Sequence, residues 1–269
     1  MSTTRNKEKL KLLPKNFQLL PSSWSKISHF FVDNKVKVRK TKYCYSFIFE
    51  AIMWINRTGC QWRNIDSKYG KWELIYSYFR KWSKLGLFEQ INSYLIEERR
   101  LEMGKEKQAS VLVIDSQSVK VPTFIEQETG IDGNKKVNGR KRVIAVDSMG
   151  NVINVVVHAA NLSDNYGGIA LVDKLAIKSQ TERLEKVLVD AGYKVTFENY
   201  IEAKFDGRCK VEIAQKPESS FGFVPTKTRW LVERAFGIFN FFRRLSKDYE
   251  KTVLSSENMI LIASIATLI

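Results

Sequence analysis

"VLVID", residues 111–115, runs four apolar side chains into an aspartate, and "VLVD", residues 187–190, repeats the pattern. An unbroken apolar run of strand length suits a strand buried on both faces, as in the middle of an α/β sheet. The order around these runs agrees. "SVLVIDSQSVKV" reads as one strand, and "KKVNGRKRVIAVDSMGNVINVVVHAANL" as two more joined at "DSMGN", where Gly150 suits a hairpin. "DNYGGIALVDKLAIKSQ" reads as a helix, followed by the strand "EKVLVDAGY", a helix from about Thr196 and the strand "CKVEIAQK". A long helix, "TRWLVERAFGIFNFFRRLSKDY", precedes a terminal one. Three strands that can meander, then helix, strand, helix and strand, predict a mixed sheet with helices on both faces.

In such a sheet the fourth strand returns by a helical crossover and lies parallel to the first. Their carboxyl ends meet at a topological switch point, which makes Asp115 and Asp190 neighbours. Two ionised carboxylates in a poorly hydrated crevice repel, so either one is protonated or a cation sits between them. His29 and His158 are the only histidines, which speaks against a zinc site of imidazoles; an all-oxygen site suits Mg²⁺ or Mn²⁺. Glu233 offers a third carboxylate. On its helix Leu231, Ala235, Ile238, Phe242, Leu245 and Tyr249 form an apolar stripe, while Arg229, Glu233, Gly237, Asn240 and Arg244 form another. A plain i, i+4 Arg–Glu pair is the alternative reading of Glu233. Asp147 and Asp164 stand in the turn contexts "VDSMGN" and "NLSDN" and are read as structural, and His158 as a hydrogen-bonded core residue.

The chain of 269 residues is 44% hydrophobic, enough for a real core, and carries a net charge of +15, which implies an acidic partner such as nucleic acid. Residues 1–107 hold 22 Lys/Arg against 10 Asp/Glu; residues 108–269 hold 22 against 19. The basic excess therefore precedes the strands. There, "KYCYSFIFEAIMWINRTGCQW" has Tyr45, Ile48, Ile52 and Ile55 at helical spacing with a stop at Gly59, and "KWELIYSYFRKWSKLGLFEQINSYLIEERR" reads as two helices broken around Gly86. Trp54, Trp62, Trp72, Tyr76, Phe79 and Trp82 fall at core spacing, whereas Arg57, Arg63, Arg80 and Lys81 are candidates for DNA phosphates. So is the acid-free run "NKKVNGRKR", with Lys135, Lys136, Arg140, Lys141 and Arg142, although a charged edge strand is a serious rival. Cys44, Cys60 and Cys209 lie too far apart for a disulfide framework or zinc knuckle. No run reaches the roughly 20 apolar residues of a membrane span, and "MSTTRNKEKLKLL" lacks the apolar centre of a secretion signal. A cytoplasmic, nucleoid-associated protein is expected.

Taken together, "VLVIDSQSVKV", "NKKVNGRKRVIAVDSMGNVINVVVHAANLSD", "VLVDAGY" and "RWLVERAFGIFNFFRRLSKDYE" resemble bacterial insertion-sequence transposases of the DDE type, in the family-five group. "RTGCQWRNI" with "YFRKWSKLGLFEQI" resembles the helical region that precedes the catalytic domain in that family. The resemblance implies a ribonuclease-H-like catalytic domain at 108–269 after a small, basic, all-helical DNA-binding domain at 1–107. It further implies Asp115, Asp190 and Glu233 as an acidic triad holding two Mg²⁺ ions, with Mn²⁺ an alternative. Arg229 fits the family's arginine position before the glutamate. Thr226 stands where a tyrosine is usual and Asn240 where a basic residue is, with Arg243 and Arg244 available to supply that charge. The activity implied is cleavage at transposon ends in double-stranded DNA and joining of the freed 3′-hydroxyl to target DNA, by a homodimer on DNA. A transposase-derived DNA-binding protein without catalysis is the alternative.

Overall fold

Along residues 19–33, 44–193, 195–213 and 229–269, which the computed structural model describes, helices come first. α1 (Pro21–Ile27), α2 (His29–Asp33), α3 (Tyr45–Thr58), α4 (Trp72–Lys84) and α5 (Leu87–Glu102) precede the sheet strands β1 (Val111–Lys120), β2 (Gly130–Asp132), β3 (Val137–Asp147) and β4 (Val152–Ala159). Then α6 (Asp164–Ile177), β5 (Lys186–Val189), α7 (Val195–Lys204) and β6 (Lys210–Ile213) alternate before α8 (Arg229–Phe239) and α9 (Val253–Leu268). The stops expected at Gly59 and Gly86 fall where the backbone turns left-handed, at φ of 72° and 65°. β2 is an additional strand of three residues that the alternation of the sequence does not signal.

The sheet runs β2-β3-β1-β5-β6, with β4 on β3. β1 is antiparallel to β3, with Asp115 opposite Ile144, and parallel to β5, with Val113 opposite Leu188. β5 in turn is parallel to β6. An antiparallel meander continued by parallel strands through helical crossovers is the ribonuclease-H-like mixed sheet. Alternation along β1 feeds two cores. Val113 joins α3, α4, α5, α8 and α9 on one face; Leu112 and Ile114 join α6 and α7 on the other. Packing is continuous across residue 107, because Ile52, Phe79 and Phe88 share their core with Phe239 and Ile262. Phe79 and Trp82 are buried, and Trp54, Trp62 and Tyr76 pack partly buried against the same core. Among the described residues no helix is long and apolar enough to cross a membrane.

The helix expected to run to Tyr249 stops at Phe239, and a 3₁₀ turn at Arg243–Leu245 follows. The cause lies on β3. Arg140 and Arg142 are almost wholly buried, so their guanidinium donors need acceptors inside the protein. Arg142 donates to the carbonyls of Leu245 (2.8 Å) and Lys247 (3.3 Å); Arg140 donates to that of Glu250 (2.8 Å) and pairs with Asp248 (3.3 Å). In a continued helix those carbonyls would be taken by backbone amides one turn on. The irregular segment thus supplies acceptors to both buried arginines, leaving only Arg142 Nε without one among the described residues. Arg140, Lys141 and Arg142, expected to grip phosphate, are interior residues, and Arg244 is too, bound to Glu250 at 2.7 Å and to the Cys60 carbonyl at 3.3 Å. Burial removes all four from any DNA surface.

Removing one partner of a buried ion pair leaves an uncompensated charge. Asp248→Ala is expected to lower stability by about 3–5 kcal/mol, whereas Glu212→Gln, which breaks the exposed Lys186–Glu212 pair, costs less than about 1 kcal/mol. Urea unfolding of the two variants measures the contrast.

Candidate active site

Asp115 is built into the centre of the sheet by the strand that carries it. The parallel register ends at Val113 with Leu188, and two further steps along each strand bring Asp115 level with Asp190, just past the end of β5. The pleat turns Asp115 to the same face as Val113, which is the face covered by α8. An open cleft on that face is lined by Asp115, Ser116, Gln117 and Ser118 of β1, by Lys135, and by Glu233, Phe236, Gly237 and Asn240 of α8. Asp115 and Glu233 therefore share one cleft. Asp190 stands at its side, its Oδ1 accepting from the Gly192 amide at 2.9 Å.

Asp164, read from sequence as a turn residue, opens α6 beside these groups. Its Oδ1 accepts from Ser116 Oγ at 2.7 Å and pairs with Lys141 at 3.2 Å. Asp132 is its neighbour through the same lysine, at 3.9 Å. Burial works against the Asp132 charge, but hydrogen bonds from Ser118 and the Lys135 amide hold the carboxyl below its ordinary range. The Tyr193 phenol is buried and its pKa is pushed well above the ordinary value by that burial, reinforced by Asp164, Asp115 and Asp190. Asp147, by contrast, is structural as expected: it is fully buried, pairs with Arg100 at 2.6 Å, and takes the amides of the Met149 and Asn151 turn. Asp164 shares a turn context with Asp147 in the sequence, but the approach of α6 to β1 sets it beside Ser116 and Lys141.

The cations sort by exposure. Lys135 and Lys136 are exposed beside the cleft, with Lys135 Nζ 3.4 Å from the Ser116 carbonyl. Arg63 lies over the Trp72 ring at 5.4 Å and Arg80 over Tyr76 at 6.0 Å, both exposed; Lys81 is partly exposed. Arg57 donates to the Phe241 carbonyl, and burial with the adjacent Arg243 charge holds its pKa below the ordinary value. Arg243 itself is exposed. Thr226 and the Arg229 side chain lie outside the described residues.

Oxygen donors in an open cleft, flanked by exposed lysines, can hold hard cations and admit an extended polyanion. Among the described residues, no group of three carboxylate, histidine or cysteine side chains is close enough to enclose one ion.

A ribonuclease-H-like sheet with Asp115 midway along its central strand and Asp190 just past the end of the parallel neighbour defines the class. The model of the transposase DDE domain matches residues 106–268, and that of a putative transposase of the IS4/5 family matches residues 21–92. The chain belongs to the DDE transposase family. No curated protein matches it. Among solved structures, the piggyBac transposase synaptic complex with hairpin DNA is similar at a TM-score of 0.35 and 10% identity, over 96% of this chain and 72% of that one.

His158 gives the site region a pH signature. Its Nδ1 lies 2.8 Å from the Ala159 carbonyl, and its Nε2 is buried against α6 without a partner. Burial, aided by Lys141, lowers its pKa from the ordinary 6.5. The unfolded chain therefore takes up the proton first as pH falls, so stability decreases with pH from about 6.5 downward. Denaturation midpoints across that range are expected to fall for the wild type and to flatten in His158→Asn.

Proposed function

We propose that this protein is an active DNA transposase whose cleft cuts phosphodiester bonds at transposon ends and joins the freed 3′-hydroxyl to target DNA. The observation that carries the reading is the placement of Asp115 and Glu233 in one cleft, with Asp190 at the end of the strand parallel to that of Asp115. Membership of the DDE family supports it, as does an all-oxygen donor set suited to Mg²⁺ or Mn²⁺.

Asp115 would be shared between two donor pairs, one with Asp190 and one with Glu233, as two ions require. Bound there, the ions would activate an attacking oxygen and stabilise the leaving one across an in-line displacement. The chain supplies rigidity and charge. β1, hydrogen-bonded along both edges, fixes Asp115; α8, packed through Leu231, Ala235 and Phe239, presents Glu233. Gly237 leaves the floor of the cleft open on the α8 side. Lys135 and Lys136 would neutralise phosphates next to the scissile bond. Water attacks first, and the 3′-hydroxyl it frees attacks second, so one cleft serves both steps.

DNA would extend from the cleft across the exposed cations Arg63, Arg80 and Arg243 and the partly exposed Arg57 and Lys81. The basic helical segment 1–107 supplies end binding, and the segment 108–269 the chemistry. A homodimer is the natural assembly, because two transposon ends must be held together. The alternative, a DNA-binding protein without catalysis, shares the basic surface but has no use for a cleft of carboxylates.

A labelled transposon end with Mg²⁺ tests the reading. Asp115→Asn, Asp190→Asn and Glu233→Gln are each expected to reduce cleavage by about 100-fold or more while DNA affinity persists. Equal cleavage by wild type and variants would overturn the site assignment. Binding without cleavage by the wild type would favour the non-catalytic alternative. For the surface, Arg63→Ala and Arg80→Ala are each expected to reduce the log–log salt slope of DNA binding by about 0.9; an unchanged slope in the double variant, read by fluorescence anisotropy, would exclude that face.

A further inference from the structure

The turn after β5, "DAGY" at residues 190–193, sets two carboxylates beside Gly192 and ends in a buried phenol. A Cβ added at Gly192 would stand 3.0 Å from Asp190 Oδ1 and 3.4 Å from Asp164 Oδ2. A side chain there would crowd both carboxylates, so glycine lets them flank the same spot without adjustment. Asp164 is not free to leave. Its other oxygen is held by Ser116 Oγ at 2.7 Å and Lys141 Nζ at 3.2 Å.

The third group is the Tyr193 hydroxyl. Tyr193 is 2% exposed, and its Oη has no hydrogen-bond partner. An orphaned buried hydroxyl costs about 1–3 kcal/mol, so its retention calls for a role. The ring is wedged against α6, where a Cβ at Gly168 would come within 2.6 Å of its edge. From there the hydroxyl feels Asp164, Asp115 and Asp190. A phenol kept protonated beside carboxylates is a donor waiting for an acceptor.

We propose that Asp164 and Tyr193 are positioning residues for Asp190. Asp164, pinned on the α6 side, repels the Asp190 carboxylate across Gly192 and so drives it toward Asp115 and the cleft. Tyr193 donates its hydroxyl to the carboxylate in that position, satisfying the orphaned group and fixing the orientation of Asp190 as a ligand. Both roles act through Asp190 and rest on the reading of Asp190 as a metal ligand.

Mn²⁺ binding to the full-length protein, followed by electron paramagnetic resonance, tests this without relying on turnover. Tyr193→Phe is the cleanest variant, because it removes an oxygen that makes no hydrogen bond in the fold. Tyr193→Phe and Asp164→Asn are each expected to weaken Mn²⁺ binding and raise the Mg²⁺ midpoint for cleavage by about 10- to 100-fold. For Tyr193→Phe the thermal midpoint should stay at or rise above the wild-type value, since the orphaned hydroxyl is removed, and the affinity for DNA ends should be unchanged. Mn²⁺ affinity within about twofold of wild type in Tyr193→Phe would overturn the proposal. So would a loss that tracks a lowered thermal midpoint with an unchanged Mg²⁺ midpoint. Asp115→Asn and Asp190→Asn serve as controls: if both still bind Mn²⁺ as the wild type does, the metal reading itself fails, whereas their loss of binding with unaffected Tyr193→Phe refutes the positioning role alone.

Discussion

β1 is paired on both edges, antiparallel to β3 and parallel to β5, and every other feature of the site follows from that double pairing. A strand bonded along both edges cannot slide, and a slip of one residue would turn Asp115 to the opposite face of the sheet. The antiparallel partner pairs with β1 over nine residues, from Leu112 with Asp147 to Lys120 with Gly139, while β5 ends at Val189. The sheet therefore opens on the β5 side at the level of Asp115. The crevice is a consequence of one strand being shorter than its neighbour.

The second constraint is electrostatic. Arg140 and Arg142 point from β3 into the protein, and the price of their burial is met by carbonyls that a helix would have used. This ends α8 at Phe239 and folds the following residues back over the sheet. α8 is thereby anchored at one end by an ion network that includes Asp248, Glu250 and Arg244. The segment after the helix bearing Glu233 is thus tied through buried arginines to β3, the antiparallel partner of the strand bearing Asp115.

Acidic groups collect where the two constraints meet. Asp115, Asp190 and Glu233 come from a strand, a strand end and a helix; Asp164 comes from the first turn of α6, and Lys141 balances it from within. Concentrating carboxylates there is costly in the absence of cations. Under the proposed function that cost would be offset by the hard cations held there.

Much of this was legible in the residues themselves. The apolar runs before Asp115 and Asp190, the hairpin at Gly150 and the helical stops at Gly59 and Gly86 are local signals, set by burial on two faces and by backbone freedom, and they specified the sheet and its order. Composition located the basic excess, and the order of motifs located the family. Charge alone, however, could not say which cations face water. Arg140, Lys141 and Arg142 look like a DNA-binding ribbon in sequence and are interior in the fold, because alternation along β3 and the carbonyls of residues 245–251 lie far apart in the chain. Asp147 and Asp164 are likewise indistinguishable as turn aspartates. Tertiary packing puts the first beside Arg100 and the second across Gly192 from Asp190, since proximity between separate elements is a property of the assembled sheet.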